Sequence, residues 1–121
     1  MISERRQVKA PRDTGWKHIA SAVTGMAPAA VNGLAAGDRV QIAFDGGPTA
    51  NGNAEIVVAG KALAIRLPEL ESVLLIDLEG SALESFHTGW YFSVYDAGRA
   101  KELEAPASRT FLRIHESIPA K

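Results

Sequence analysis

The residues best suited to chemistry are scattered. The chain has three histidines, His18, His87 and His115, each isolated, and none forms a His-x-x-x-His or Glu-x-x-His ligand pair on a helix. A metal site would therefore have to be assembled from distant elements. Ser85 and His87 lie two apart, which puts both side chains on one side of a strand, with Glu84 next to them. No Gly-x-Ser-x-Gly elbow surrounds Ser85, so no nucleophilic triad is assigned. Glu84 with His87 is the one pair worth testing for an enzyme of cyclase or hydrolase type. Glu69-x-Glu71 and Asp77-x-Glu79 each place two carboxylates on one strand face. Acid–base work needs surroundings that separate their proton affinities, and outward pairs more often keep an edge soluble. Gly46-Gly47-Pro48 with Gly52 lacks the Lys-Ser/Thr of a phosphate loop and sits between strands, as a hairpin loop would. Zero cysteines remove disulfides, thiolate zinc sites and a thiol nucleophile together. No catalytic residue, metal or cofactor is assigned.

The informative constellation is aromatic: Trp16, Phe44, Phe86, Trp90, Phe92 and Phe111. Such rings either line an apolar cavity between a sheet and a helix or fill a core. Phe86, Trp90, Phe92 and Phe111 are the candidate ligand-binding residues, as wall and lid of a hydrophobic pocket.

These rings need elements to position them. Ile2–Lys9 is mostly polar, an edge strand or a frayed arm. Trp16, Ile19, Ala20 and Val23 recur at helical spacing, so 11–24 is expected to be a short helix with one buried face, stopped by Gly25. Asp13 or Thr14 is expected to satisfy free N–H groups in its first turn. Residues 25–38 read as a loop holding at most one loose helical turn. From Arg39 the period becomes two: Val40, Ile42 and Phe44 alternate with polar or small residues, and 45–53 is dense in turn residues. Further strands are expected at 54–58, 62–67 and 72–79, with turns at 59–61 and Gly80-Ser81. The clearest strand follows. Phe86, Thr88, Trp90, Phe92 and Val94 share one face, and His87, Gly89, Tyr91, Ser93 and Tyr95 the other. Ala100, Leu103, Ala107, Phe111, Ile114 and Ile118 then form one helical stripe that keeps its phase across Pro106, which favours a single bent helix. The order predicts an α+β fold: a curved antiparallel sheet of about five to six strands gripping a C-terminal helix, with a short N-terminal helix.

With 121 residues the chain is expected to form one domain, 1–121. The formal charge of −1 gives no global basic field for nucleic acid. Five bases and two acids fall within 1–17, and six acids with no Lys or Arg within 67–96. The basic arm lacks interleaved aromatics for base stacking, so the two regions are expected to attract each other across strands. Apolar runs such as Val73–Ile76 fall far short of the roughly 20 residues of a spanning helix. No apolar stretch follows the basic start to make a leader. The expectation is a soluble, unprocessed, bacterial-type cytoplasmic protein with no nucleic-acid or membrane partner.

Three stretches resemble the START/SRPBCC superfamily, the helix-grip fold of birch-allergen-like proteins. Ala10-Pro11-Arg12-Asp13-Thr14-Gly15-Trp16-Lys17-His18-Ile19 is similar to the Ala-Pro-x-x-x-Val-Trp opening of its first helix, with Gly15 where that family carries a β-branched residue. Gly37-Asp38-Arg39-Val40-Gln41-Ile42 is similar to its Gly-Gly-x-Phe strand. The run from Leu67 to Gly80, followed by the long strand and terminal helix, matches in order. The resemblance implies binding or transport of a small apolar molecule; some relatives are cyclases and others co-chaperones. It carries no universal catalytic residues. Arg5-Arg6 followed by Pro11-Arg12 is also similar to the start of PilZ domains, which bind cyclic di-GMP. Their second signature, Asp/Asn-x-Ser-x-x-Gly, is missing at its nearest match, 19–24. The leading expectation is a non-catalytic domain binding an apolar small molecule or a partner between sheet and C-terminal helix. The alternative is a filled-core homodimer formed through the face of Tyr91 and Tyr95, since amphipathic tyrosines suit interfaces.

Overall fold

Period-two segments become strands and 3.6-period segments become helices, in the expected order. The computed structural model describes residues 1–80 and 83–119. The elements are β1 (Ile2–Val8), α1 (Arg12–Thr24), β2 (Arg39–Ala43), β3 (Thr49–Val58), β4 (Ala62–Leu67), β5 (Ser72–Gly80), β6 (Phe86–Val94) and α2 (Ala97–Ser117). Short 3-10 turns occupy Pro28–Gly33 and Pro68–Leu70. All neighbouring strands pair antiparallel in one curved six-stranded sheet of order β1-β6-β5-β4-β3-β2. β1 is thus a true edge strand, and β6 is flanked by β1 and β5. No helix among the described residues is long and apolar enough to cross a membrane.

α1 buries Trp16, Ile19, Ala20 and Val23, and Gly25 ends it in the left-handed region (φ 77°) with its N–H on the Ser21 carbonyl at 3.1 Å. Neither Asp13 nor Thr14 caps it with a side chain. The helix starts directly after Pro11, so both fall inside the first turn, where Asp13 pairs with Lys17 four residues on (3.4 Å). Gly15 faces Phe86, and a Cβ there would collide with that ring. A β-branched residue at this position would have to displace the Phe86 ring.

β3 begins five residues before the expected 54, at Thr49. Asn51, Gly52 and Asn53 look like turn residues but pair with Gln41, Val40 and Arg39 of β2. The Gln41 amide donates to the Asn51 side chain at 3.0 Å, and Gly52 lets the Arg66 carbonyl approach where a Cβ would stand. Gly80 closes β5 with φ 122°; Ser81, expected to share that turn, lies outside the described residues.

α2 runs unbroken through Pro106. Asp96 caps its start, accepting the Arg99 N–H at 2.8 Å. Leu103, Pro106, Ala107, Thr110, Phe111 and Ile114 are its buried residues. They lie on the inner sheet face, where Leu63, Ile65, Leu74, Ile76, Phe86, Trp90 and Phe92 are also buried. Oppositely charged regions do meet across strands: Arg5 of β1 reaches over β6 to Glu79 of β5 at 2.9 Å.

Candidate functional site

Of the four predicted pocket residues, Trp90, Phe92 and Phe111 are in ring contact, while Phe86 lies at the start of β6 against Gly15 of α1. Phe86, Trp90 and Phe92 alternate along the inward face of β6, and each of them and Phe111 is at most 1% exposed. Trp90 and Phe111 stack with centroids 4.7 Å apart, Phe92 meets Phe111 edge-on at 6.1 Å, and Phe44 stacks on Phe92 at 5.4 Å. Such geometries stabilise beyond the area they bury. The rings thus occupy much of the space between sheet and helix themselves. Beside them, a groove of about 240 Å³ runs between β1, the end of β6 and the first half of α2. Phe92, Ile2, Val94 and Ala100 line it, with Lys101 and Glu104 also on its wall.

β1 adds polar groups on the same side of the sheet. Its alternation turns Arg5 outward, while Glu4 and Arg6 face inward opposite Trp90 and Thr88. Glu4 and Arg6 pair at 3.4 Å. Burial holds the His115 imidazole of α2 below its usual range, the Arg6 cation pushes the same way, and Glu116 opposes both. The missed signal was parity: Glu4 and Arg6 share it with Ile2 and Val8, the apolar anchors of that strand. A second groove, of about 250 Å³, lies at this end of the strand, lined by Gln7, Val8, Lys9, His115, Glu116 and Ile118.

The other candidates have structural duties. Asp77 accepts the Gly89 N–H at 3.0 Å and Glu79 holds Arg5. Glu69 accepts the Asn51 N–H, and Glu71 lies 3.7 Å from Arg99. Both carboxylate pairs are thereby tied to neighbouring segments. His87 and Glu84 are exposed and Ser85 is half-buried; no hydrogen bond joins the three among the described residues. No three His, Asp or Glu side chains gather as a metal site among those residues. The arginines of the PilZ-like stretch diverge: Arg5 and Arg6 take opposite faces of β1, and Arg12 donates to the Gly80 carbonyl at 3.4 Å.

No family model matches the chain, and no curated protein matches it. Solved structures do. A conserved protein of unknown function from Enterococcus faecalis superposes with TM-score 0.64 at 14% identity, over 94% of this chain and 68% of that one. The Aha1 dimer from Colwellia psychrerythraea gives 0.62 at 11% identity, over 97% and 94%. DynU16, from the dynemicin biosynthetic locus, gives 0.60 at 16% identity, over 95% of this chain and 45% of its own. At such identities the likeness shows the fold alone, a curved antiparallel sheet wrapped on one long C-terminal helix.

Proposed function

We propose that this helix-grip-like domain is a non-catalytic binding module that takes a small apolar molecule between the sheet and α2. Phe86, Trp90, Phe92 and Phe111 form the apolar wall. The observation that carries the reading is the groove on Phe92, which adjoins the ring cluster at the seam of β1 and α2. At about 240 Å³ it lies just below the usual range of small-molecule cavities, about 300–1,000 Å³, and suits a ligand of one ring. Toluene is the direct probe: a saturable change in tryptophan fluorescence is expected, weakened by Trp90→Ala and by the milder Phe92→Leu. Full affinity in both variants means that the ligand sits elsewhere. Native mass spectrometry of protein from its own host should release a small apolar molecule.

A second reading is supported by the outer sheet face. Ile56, Val58 and Leu75 are exposed there by 54%, 46% and 38%. The register sets Ile56, Ala64, Leu75 and Tyr91 in one cross-strand row. A second copy packed on this row makes a homodimer, the state in which the Colwellia protein was solved. Light scattering over a concentration series tests it, and a strict monomer at high concentration removes it.

A further inference from the structure

Six buried side-chain polar atoms lack a hydrogen-bond partner among the described residues, and five of them belong to the seam between β1, β6 and α2. Glu4 and Arg6 stand directly opposite Trp90 and Thr88, so the four side chains share one face of the ladder. His115 comes from the helix above, close enough for the Arg6 charge to act on it. The unpartnered atoms are Glu4 Oε2, Arg6 Nε, Thr88 Oγ1, Trp90 Nε1 and His115 Nδ1. Each has lost its hydrogen bonds to water without replacement, which is costly enough to require a cause. Inward-pointing charges protect an edge strand from pairing with another chain, and this accounts for Glu4 and Arg6. It does not account for Thr88 and Trp90, which are fully buried (0% exposed) on an internal strand. The two grooves described above lie at the two ends of this seam, one by Ile2 and Ala100, the other by Val8 and His115.

We propose that the seam binds the polar end of an uncharged small molecule carrying a hydroxyl or an amide. The free set contains an acceptor in Glu4 Oε2, donors in Trp90 Nε1–H and Arg6 Nε–H, and a Thr88 hydroxyl that does either. A matching group must donate and accept at once. The adjacent Glu4 and Arg6 charges cancel, so neither an anion nor a cation gains a net field. The inference rests on the reading that a small molecule sits between sheet and α2, and it names that molecule's chemistry.

The test follows the indole N–H resonance of Trp90 in the ¹⁵N-labelled wild-type chain, assigned through contacts with the stacked Phe111 ring. Toluene, 1-hexanol, hexanamide and hexanoate are added in separate titrations. Hexanol and hexanamide are expected to give saturable shifts at affinities at least tenfold above that of hexanoate. The near-isosteric Thr88→Val, which removes only the hydroxyl, is expected to weaken hexanol about five- to tenfold and to leave toluene unchanged. If toluene binds as well as hexanol and Thr88→Val changes neither, the apolar site stands and the polar recognition is wrong. Tightest binding by hexanoate overturns the uncharged class. If no probe saturates, both readings fall together and the seam's polar groups are served by water alone.

Discussion

At position 15 the missing side chain is a packing requirement. The Phe86 ring fills the place a Cβ would take, which couples the first helix to the strand that carries the ring cluster. Replacing a helical glycine ordinarily gains up to about 1 kcal/mol in helix propensity. Here overpacking should dominate: Gly15→Val is expected to lower stability by about 1–3 kcal/mol in chemical denaturation. Adding Phe86→Leu should return part of that loss, since residues in contact do not act additively. His115 yields a prediction of pH dependence. Its folded imidazole titrates below the ordinary value of about 6.5 because of burial, then the Arg6 charge, against Glu116. Between those two values the unfolded chain binds more protons, so stability falls as pH drops below about 6.5 and levels off past the folded value. Thermal melts across that range should show a flatter profile in His115→Gln than in wild type.

At the scale of elements, the β2–β3 hairpin is clasped onto α2 by one residue. The Asp45 N–H donates to the Thr110 hydroxyl at 2.7 Å, which donates in turn to the Pro106 carbonyl at 2.8 Å. Arg109 donates to the Asp45 carbonyl, and Arg113 holds its carboxylate at 2.7 Å, keeping that carboxyl below its usual range. Pro106 itself lies against Gly47, where a Cβ would stand 2.9 Å from its ring. The proline inside the helix thus serves as a docking surface for the hairpin tip. Thr110→Val leaves the part-buried Asp45 N–H without its acceptor and should cost about 0.5–1.5 kcal/mol, measured by denaturant midpoint at constant slope. Much of this level was legible in the chain: the α2 stripe keeps its phase across Pro106, and the alternation of Phe86, Trp90 and Phe92 placed all three rings on one face. The start of β3 was not, because Asn51-Gly52-Asn53 has turn composition, and only the close approach of Arg66 explains its extended state. The seam was not legible either. Ile2 and Val8 do mark the parity of β1 that meets the core, but a hydrogen bond left unmade is visible only once both neighbours are in place.

For the whole molecule, the two sheet edges and the outer face compete as contact surfaces. β1 carries inward Glu4 and Arg6 and outward Arg5 already engaged by Glu79, features that discourage strand addition. β2, at the other edge, has only five residues and exposes Arg39 and Gln41, and short charged edges template poorly. The outer face is different in kind. Ile56, Val58 and Leu75 are exposed around the Ala64 and Tyr91 row, and Tyr91 overlies Gly89, where a side chain would meet its ring. Self-association should therefore run face to face and not edge to edge. Leu75→Glu, a surface change that leaves the inner packing intact, is expected to convert any dimer to monomer in sedimentation at micromolar concentration. Breaking the β1 edge with Ser3→Pro should leave the dimer in place. The opposite pattern, loss with Ser3→Pro and persistence with Leu75→Glu, would move the interface to the edge strand. It would also place a second chain beside the seam that holds Glu4 and Arg6, so ligand binding and assembly would then have to be measured as coupled events.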